Sequence, residues 1–492
     1  MRERIGTEWA ARGPRAPSAE SEEAVVAAIR HARDYLGGLD DDRVASASDL
    51  ASLRWRMRKP LAEDGLPPAQ VVDELAADAA DGLLRSSGGR FFGWVIGGTL
   101  PAALAADWLT ATWDQNAAHH ASGPAAAVAE EVVGEWLKDV LALPPRSSFA
   151  LVTGCQMAHV TCLAAARTFL LRRAGWDVVE QGLVGAPVIR MITGEQRHVS
   201  IDRAASLLGI GRANVELLPT DTLGRIEPTA LRHRLESAPP AASILALQAG
   251  DIATGAFDRF EELIPIAREA GAWVHIDGAF GLWARASADY RSLAGGCEKA
   301  DSWATDGHKI LNTPFDCGYA FVAHPEDHKA ALSLRASYLT HAVDARDQID
   351  WNPDFSRRAR GFPTYAALRS LGRRGIAVLF ERLCAHAGRL AEGIGGLPGA
   401  ELVSRPIINQ ALVRFRDTRD SATEEDHDRR TDEVIAAINR SGEAFFTGAA
   451  WRERRVMRIS VCSWRTTEAD VERTIAAVSS ILESDGSGRG DA

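Results

Sequence analysis

Residues 273–280 read Trp273-Val274-His275-Ile276-Asp277-Gly278-Ala279-Phe280. A short apolar run ends in an acid, and small residues follow it. Such a run, four to eight residues long and rich in branched and aromatic side chains, predicts a buried strand. An acid at its end must be paired, hydrogen-bonded or protonated, because an isolated buried carboxylate is very costly.

The same texture extends on both sides, from about residue 125 to 325. A helix over 124–141 leads to the strand SFALVT (148–153), and a helix over 157–173 leads to PVIRMIT (187–193). A helix near 200–208 precedes NVELLP, followed by ASILALQAG (242–250), a helix over 258–270, WVHID (273–277) and DSWATD (301–306). Near-continuous apolar strands alternating with helices imply an α/β domain whose mostly parallel sheet is covered on both faces. Beyond Pro363 come long helices, then ALVRFR (411–416), a helix over 422–440, VMRISVC (456–462) and a last helix over 467–483, the order of a smaller α+β domain. Upstream, residues 23–38 and 68–85 have helical spacing, with Pro67 and Pro68 placed to open the second helix. The expected division is a helical segment over 1–100, a large domain over 101–370 and a small domain over 371–492. The first twenty or so residues and the last ten are polar and are expected to fray.

Composition narrows the function. The chain has 492 residues, a formal net charge of -10 and 46% hydrophobic residues. It is long enough for a large core, and its basic residues are too dispersed for a nucleic-acid footprint. Its six cysteines form no CxxC pair, which predicts single thiols in a reducing compartment. No window has the apolar length of a signal peptide core or a membrane span, so the expected location is the cytoplasm, without a membrane partner.

In open α/β sheets ligands bind beyond the carboxyl ends of the strands, so the polar residues there carry the chemistry. Four places qualify. Thr153-Gly154-Cys155-Gln156 follows a strand and opens a helix, where N–H groups await an anion. His198 lies in Gly194-Glu195-Gln196-Arg197-His198, and Asp277 ends its own strand. Lys309 lies in Asp306-Gly307-His308-Lys309-Ile310, where burial is expected to lower its pKa and make it a better nucleophile. Taken alone, each also has a plain structural reading: a turn, a solvated histidine, a helix cap, a surface lysine. Together an anion site, a flat ring, a carboxylate and an amine are what pyridoxal 5'-phosphate needs.

On the motifs HIDGAFG, ADSWATDGHKILNTPFDCG and RFFGWVIGGTLPAALAADWL, the chain resembles the group II pyridoxal-phosphate-dependent amino-acid decarboxylases, which include the aromatic L-amino-acid decarboxylases. The resemblance covers about residues 90–480. It implies fold type I, with a mostly parallel seven-stranded sheet in the large domain, a homodimer, and decarboxylation of an L-amino acid to an amine. Lys309 is then the Schiff-base amine and Asp277 the partner of the pyridinium nitrogen. His198 stacks on the ring, Ala279 leaves room for it, and Gly154 and Cys155 offer N–H groups to the phosphate. Asp306 and His308 flank phosphate and lysine. The segment Gln248–Gly255 matches a loop near the cofactor's oxygen substituent, but Asp251 stands where a neutral side chain is expected.

The resemblance also implies a general acid, Tyr338 in Ser337-Tyr338-Leu339-Thr340-His341, which reaches the partner subunit's site and protonates the substrate carbon after CO2 leaves. Phenylalanine at this position is associated with oxidative deamination to an aldehyde, so tyrosine favours the amine. Phe91, Phe92 and Trp94, with Gly97, Gly98 and Thr99, match the loop lining the side-chain pocket, which suits an aromatic or bulky substrate. The same run also reads as core packing. Trp113-Asp114-Gln115-Asn116, His119 and His120 add polar groups nearby. His119 and His120 are not expected to bind metal, since adjacent helical residues do not face one site. The competing outcomes on the same cofactor are transamination, aldol cleavage or aldehyde synthesis.

Overall fold

A computed structural model describes residues 19–237, 242–333 and 346–487. The chain divides into two compact units, Met1–Arg85 and Ser86–Ala492, so the break falls before the expected boundary near residue 100. The first unit contains the helices Ala19–Gly38, Leu50–Met57 and Pro68–Ala79. Asp49 caps the second by accepting the Ser52 N–H, and Pro68 opens the third at its first position. Many of this unit's apolar side chains remain exposed, Trp55 at 82%.

The second unit is built on a seven-stranded sheet: β1 (Ser148–Val152), β2 (Ile189–Gly194), β3 (Val215–Leu218), β4 (Ala242–Gln248), β5 (Trp273–Asp277), β6 (Ser302–Asp306) and β7 (Gly318–Val322). Their order is β1-β7-β6-β5-β4-β2-β3, and every pair is parallel except those made by β7. β7 was not anticipated from the sequence. Its five residues follow a turn-rich stretch, and the strand is wedged between β1 and β6 and buried throughout. Gly318, its first residue, sits so close to Gly154 that a Cβ would lie 2.5 Å from the Gly154 backbone.

Helices cover both faces, and the core includes the fully buried Trp273, Trp283, Trp303, Tyr319 and Phe321. A second, antiparallel sheet of order β10-β11-β9-β8 comprises β8 (Ala400–Ser404), β9 (Gln410–Phe415), β10 (Thr447–Trp451) and β11 (Arg454–Ser460). The helices Glu424–Ser441, opened by a Thr423–Asp426 capping box, and Glu468–Ser487 accompany it. A buried ion pair ties the large sheet to its cover: Arg357 meets Glu130 at 2.6 Å and also donates to the carbonyls of Ala117 and Leu151.

The six cysteines are free and buried. Among the described residues no helix is long and apolar enough to cross a membrane. Residues 1–18 and 488–492 of the termini expected to fray lie outside the described residues, whereas residues 483–487 close the last helix. Tyr338 also lies outside them.

Candidate active site

The carboxyl ends of β1, β2, β4, β5 and β6 surround a cavity of about 330 Å³, lined among others by Gly154, Cys155, His159, His198, Gln248, Asp277, Ala279, Asp306, His308 and Lys309. All eight residues expected around the cofactor meet there. The chain has five lysines, and Lys309 is the one in this cavity.

Asp277 ends β5 between Gln248 of β4 and Ala304 of β6, and its Oδ1 accepts the Ala279 N–H. Burial opposes its ionisation, but His159, His198 and Lys309 outweigh burial and hold the carboxyl well below the usual carboxylate range. Lys309 follows β6, and its Nζ lies 2.9 Å from Asp306 Oδ2. Here the structure corrects the sequence expectation. Burial alone lowers a lysine pKa, yet the charge and hydrogen bond of Asp306, with Cys155 and Asp277 adding to them, raise that of Lys309 above its ordinary value.

Asp306 also departs from the expected layout at the helix Cys155–Arg173. Its Oδ1 accepts the Cys155 N–H at 2.6 Å, so this N–H is already engaged by a carboxylate, which the positive end of the helix favours. Burial, then the charges of Asp277 and Asp306, push the Cys155 thiol well above its ordinary pKa. His308 packs on Phe315 with ring centroids 4.4 Å apart, and its Nδ1 accepts the Cys317 N–H. Burial lowers its pKa.

His198 caps the helix Val199–Leu207. Its Nδ1 accepts the Ser200 N–H at 3.3 Å and pairs with the Ser200 hydroxyl at 2.8 Å, which leaves the ring proton on Nε2. Burial lowers its pKa, which keeps the ring neutral near pH 7.

Asp251, the residue that departs from the family pattern, does not line the cavity. It is buried in its own turn, accepting the N–H groups of Ala253 and Thr254 and the Thr254 hydroxyl. Burial raises its pKa.

Phe91, Trp94, Gly97 and Thr99 are not among the residues lining this cavity. Phe91 stacks on Phe445 at 5.0 Å, and Phe92 on Phe446 at 5.2 Å. Trp94 is 46% exposed beside them. Gly97 lies directly against the lysine's own backbone: a Cβ there would sit 2.1 Å from the Lys309 carbonyl oxygen. The Thr99 carbonyl accepts the Trp464 indole N–H. Farther along, Asn116 accepts the Ala118 and Arg357 N–H groups, Trp113 packs edge-on to Phe362, and His119 packs edge-on to Phe355.

Two residues escaped the sequence reading. His159 stands fully buried one helical turn beyond Cys155, its Nε2 3.5 Å from Asp277 Oδ2 and 3.5 Å from Cys155 Sγ. Cys155, His159 and Asp277 are the one group among the described residues with cation-ligating atoms all within 4.8 Å. Arg458, on β11, is nearly buried, and its Nε has no acceptor among the described residues. It lies close enough to act on the charges of His198 and Asp251.

A family profile described as the pyridoxal-dependent decarboxylase conserved domain matches residues 59–417. The chain belongs to this family. It is a pyridoxal-phosphate-dependent decarboxylase, and curated relatives align along most of its length. A phenylacetaldehyde synthase of a Rosa hybrid cultivar is 27% identical over 467 residues, covering 90% of each chain. An aromatic-L-amino-acid decarboxylase of Bacillus atrophaeus is 22% identical, covering 92% of this chain and 93% of that one. The crystal structure of Oryza sativa TDC with PLP and tryptamine superposes with a TM-score of 0.88 at 22% identity, covering 95% of this decarboxylase and 99% of that chain. The α/β fold type I expectation, with its mostly parallel seven-stranded sheet, holds.

Proposed function

We propose that this decarboxylase acts on an aromatic L-amino acid, releasing CO2 and the corresponding amine, as a homodimer in the cytoplasm. The observation that carries the site assignment is the convergence of the lysine Lys309, the ionised buried carboxylate of Asp277 and the imidazole of His198 on a single cavity.

The residues present fit pyridoxal phosphate. Lys309 offers the amine that holds it, Asp277 a fixed negative charge for its ring nitrogen, and His198 a flat ring. Ala279 is small enough to leave the ring room. The first turn of the helix Cys155–Arg173 would hold the phosphate through its remaining unpaired backbone N–H groups, since Asp306 engages that of Cys155. Once bound, the cofactor supplies an electron sink for the pair left when CO2 departs.

The chain's own groups do the rest. Asp277 keeps a positive charge on the ring nitrogen, because an anion a few ångströms away favours the protonated form. Arg458, a nearly buried cation whose Nε has no acceptor among the described residues, supports a role in meeting the substrate carboxylate. His198 keeps an Nε2 proton at the cavity wall, and Tyr338 is the assigned proton donor to the substrate carbon.

An aromatic side chain is supported by the relatives, among them a tyrosine decarboxylase of Narcissus pseudonarcissus and a tryptophan decarboxylase of Oryza sativa. The aromatic loop adds to this, because Trp94 stands three residues before Gly97, which leans on the lysine backbone. Exposed apolar side chains of the first unit, including Val25, Ile29, Trp55 and Met57, support a second copy of the chain as their cover. Six free buried thiols support a reducing compartment. A second reading, aldehyde synthesis, is favoured by the phenylacetaldehyde synthase relative, and Tyr338 argues for the amine.

The test is to incubate the cofactor-loaded protein with L-tryptophan, L-tyrosine, L-phenylalanine and L-glutamate and to identify products by mass. Equal amounts of amine and CO2 from an aromatic acid are expected. Turnover of glutamate alone overturns the substrate assignment, and aldehyde with hydrogen peroxide overturns the product.

A further inference from the structure

Behind Asp277 lies a line of buried polar groups to which the steps above give no part. Trp273, His275 and Asp277 alternate along β5 and therefore share one face of the sheet. Ser302 is the register partner of His275 on β6. His159 reaches this face from the helix Cys155–Arg173. The contacts run in sequence: Trp273 Nε1 to Ser302 Oγ at 2.9 Å, Ser302 Oγ to His275 Nδ1 at 2.9 Å, His275 Nε2 to His159 Nδ1 at 2.9 Å, and His159 Nε2 to Asp277 Oδ2 at 3.5 Å. His159, His275 and Ser302 are fully buried, and Trp273 is nearly so.

The line has a direction. An indole N–H only donates, so Ser302 Oγ accepts from Trp273. The serine's single proton then goes to His275 Nδ1, a stronger acceptor than the Cys162 sulfur that also approaches it. His275 accordingly carries its proton on Nε2 and gives that hydrogen bond to His159 Nδ1. His159 in turn keeps its proton on Nε2, the atom beside Asp277. Burial depresses the pKa of His275 to about 3, so this ring is neutral near pH 7. Unpaired buried polar groups are costly, so each link holds the next in one tautomer.

We propose that His159 and His275, ordered by Ser302 and Trp273, are positioning residues that fix an N–H donor on Asp277 and thereby hold its carboxylate ionised against the cofactor's ring nitrogen. No proton changes place: each donor keeps its own. The other titratable groups facing Asp277 are His198, Lys309 and the Cys155 thiol, and Cys155 also faces His159. None of these three forms a link in the line, and a thiol held protonated contributes no charge. The consequence for catalysis rests on the cofactor assignment given above, whereas the hydrogen-bond direction is a property of the cofactor-free protein.

The experiment therefore has two parts. Ring-15N NMR of the cofactor-free protein, with His159→Gln and His275→Gln used for assignment, is expected to show His275 neutral and protonated on Nε2 near pH 7 and His159 carrying its proton on Nε2 rather than Nδ1, with Ser302→Ala disturbing His275. A proton on Nδ1 of His159 or on Nδ1 of His275 overturns the proposed direction. Fluorescence titration of cofactor binding is expected to show affinity weakened about tenfold by His159→Phe, as for one pKa unit lost at Asp277, and largely restored in His159→Gln, whose amide both donates and accepts. The pH at which the bound cofactor's absorption changes should shift in His159→Phe and return toward the original value in His159→Gln. Unchanged affinity and titration in His159→Phe overturn the proposal while leaving Lys309 in its role. If the unaltered protein takes up no cofactor, the site assignment fails, and the NMR result still judges the line.

Discussion

Lys309 Nζ lies 2.9 Å from Asp306 Oδ2, and the other oxygen of the same carboxylate takes the Cys155 N–H at 2.6 Å. One acid thus joins the amine to the start of the helix Cys155–Arg173, proposed above to hold the cofactor's phosphate. Before the cofactor arrives, this contact keeps the amine charged and in place.

That contact sets how uptake depends on pH. Asp306 raises the Lys309 pKa against burial, so the free amine is scarce near neutrality, and uptake accelerates about tenfold per pH unit below that pKa. In Asp306→Asn the charge is gone and burial acts unopposed by it, so the Lys309 pKa falls and the profile moves to lower pH. Stopped-flow absorption of cofactor-free protein mixed with pyridoxal phosphate across pH measures both profiles.

Tyr338→Phe is expected to lower amine formation about a hundredfold, the lower end of what a positioned proton donor contributes, while CO2 release continues. Simultaneous assay of CO2 and amine decides it, and an unchanged amine yield removes Tyr338 from the mechanism.

Arg357→Ala leaves Glu130 buried without its cation, and breaking such a pair costs about 3–5 kcal/mol. Burial alone raises the pKa of Glu130, and Arg357 leads the groups that pull it back down. The denaturant midpoint should therefore drop sharply at neutral pH and recover in part as the pH falls and the stranded carboxylate takes up a proton.

Asp251→Asn should leave cofactor affinity within about twofold, because an asparagine oxygen accepts the same two turn N–H groups. The buried Asp251 carboxyl has a raised pKa, so replacing it with a neutral amide avoids the cost of burying its charge. Cofactor titration together with thermal unfolding measures both effects.

Much of this site was legible because catalytic groups in an α/β sheet collect where apolar strands end, and Asp277 and Lys309 sit just there. The strand WVHID was read to the residue, since its branched and aromatic run is bounded by Gly271 and Gly278. His159 was not legible. It lies inside a helix, and only the packing of that helix over β5 brings it to Asp277. Arg458 belongs to a strand of the other sheet, far from the site in sequence, and only the fold brings it near His198. β7 was missed because its short apolar run opens on Gly318 just after the turn-rich stretch Asn312-Thr313-Pro314-Phe315-Asp316. The raised pKa of Lys309 depends on the side chain of Asp306, three residues earlier, and that pairing becomes visible only in three dimensions.

The central assignment is that Lys309 holds the cofactor. Borohydride reduction of the cofactor-loaded protein, followed by peptide mapping by mass, tests it most directly. The predicted result is a single phosphopyridoxyl group on the peptide containing Asp306-Gly307-His308-Lys309, absent in Lys309→Ala. Label on Lys59, Lys138, Lys299 or Lys329 instead, or no label on protein shown to be folded, contradicts the account.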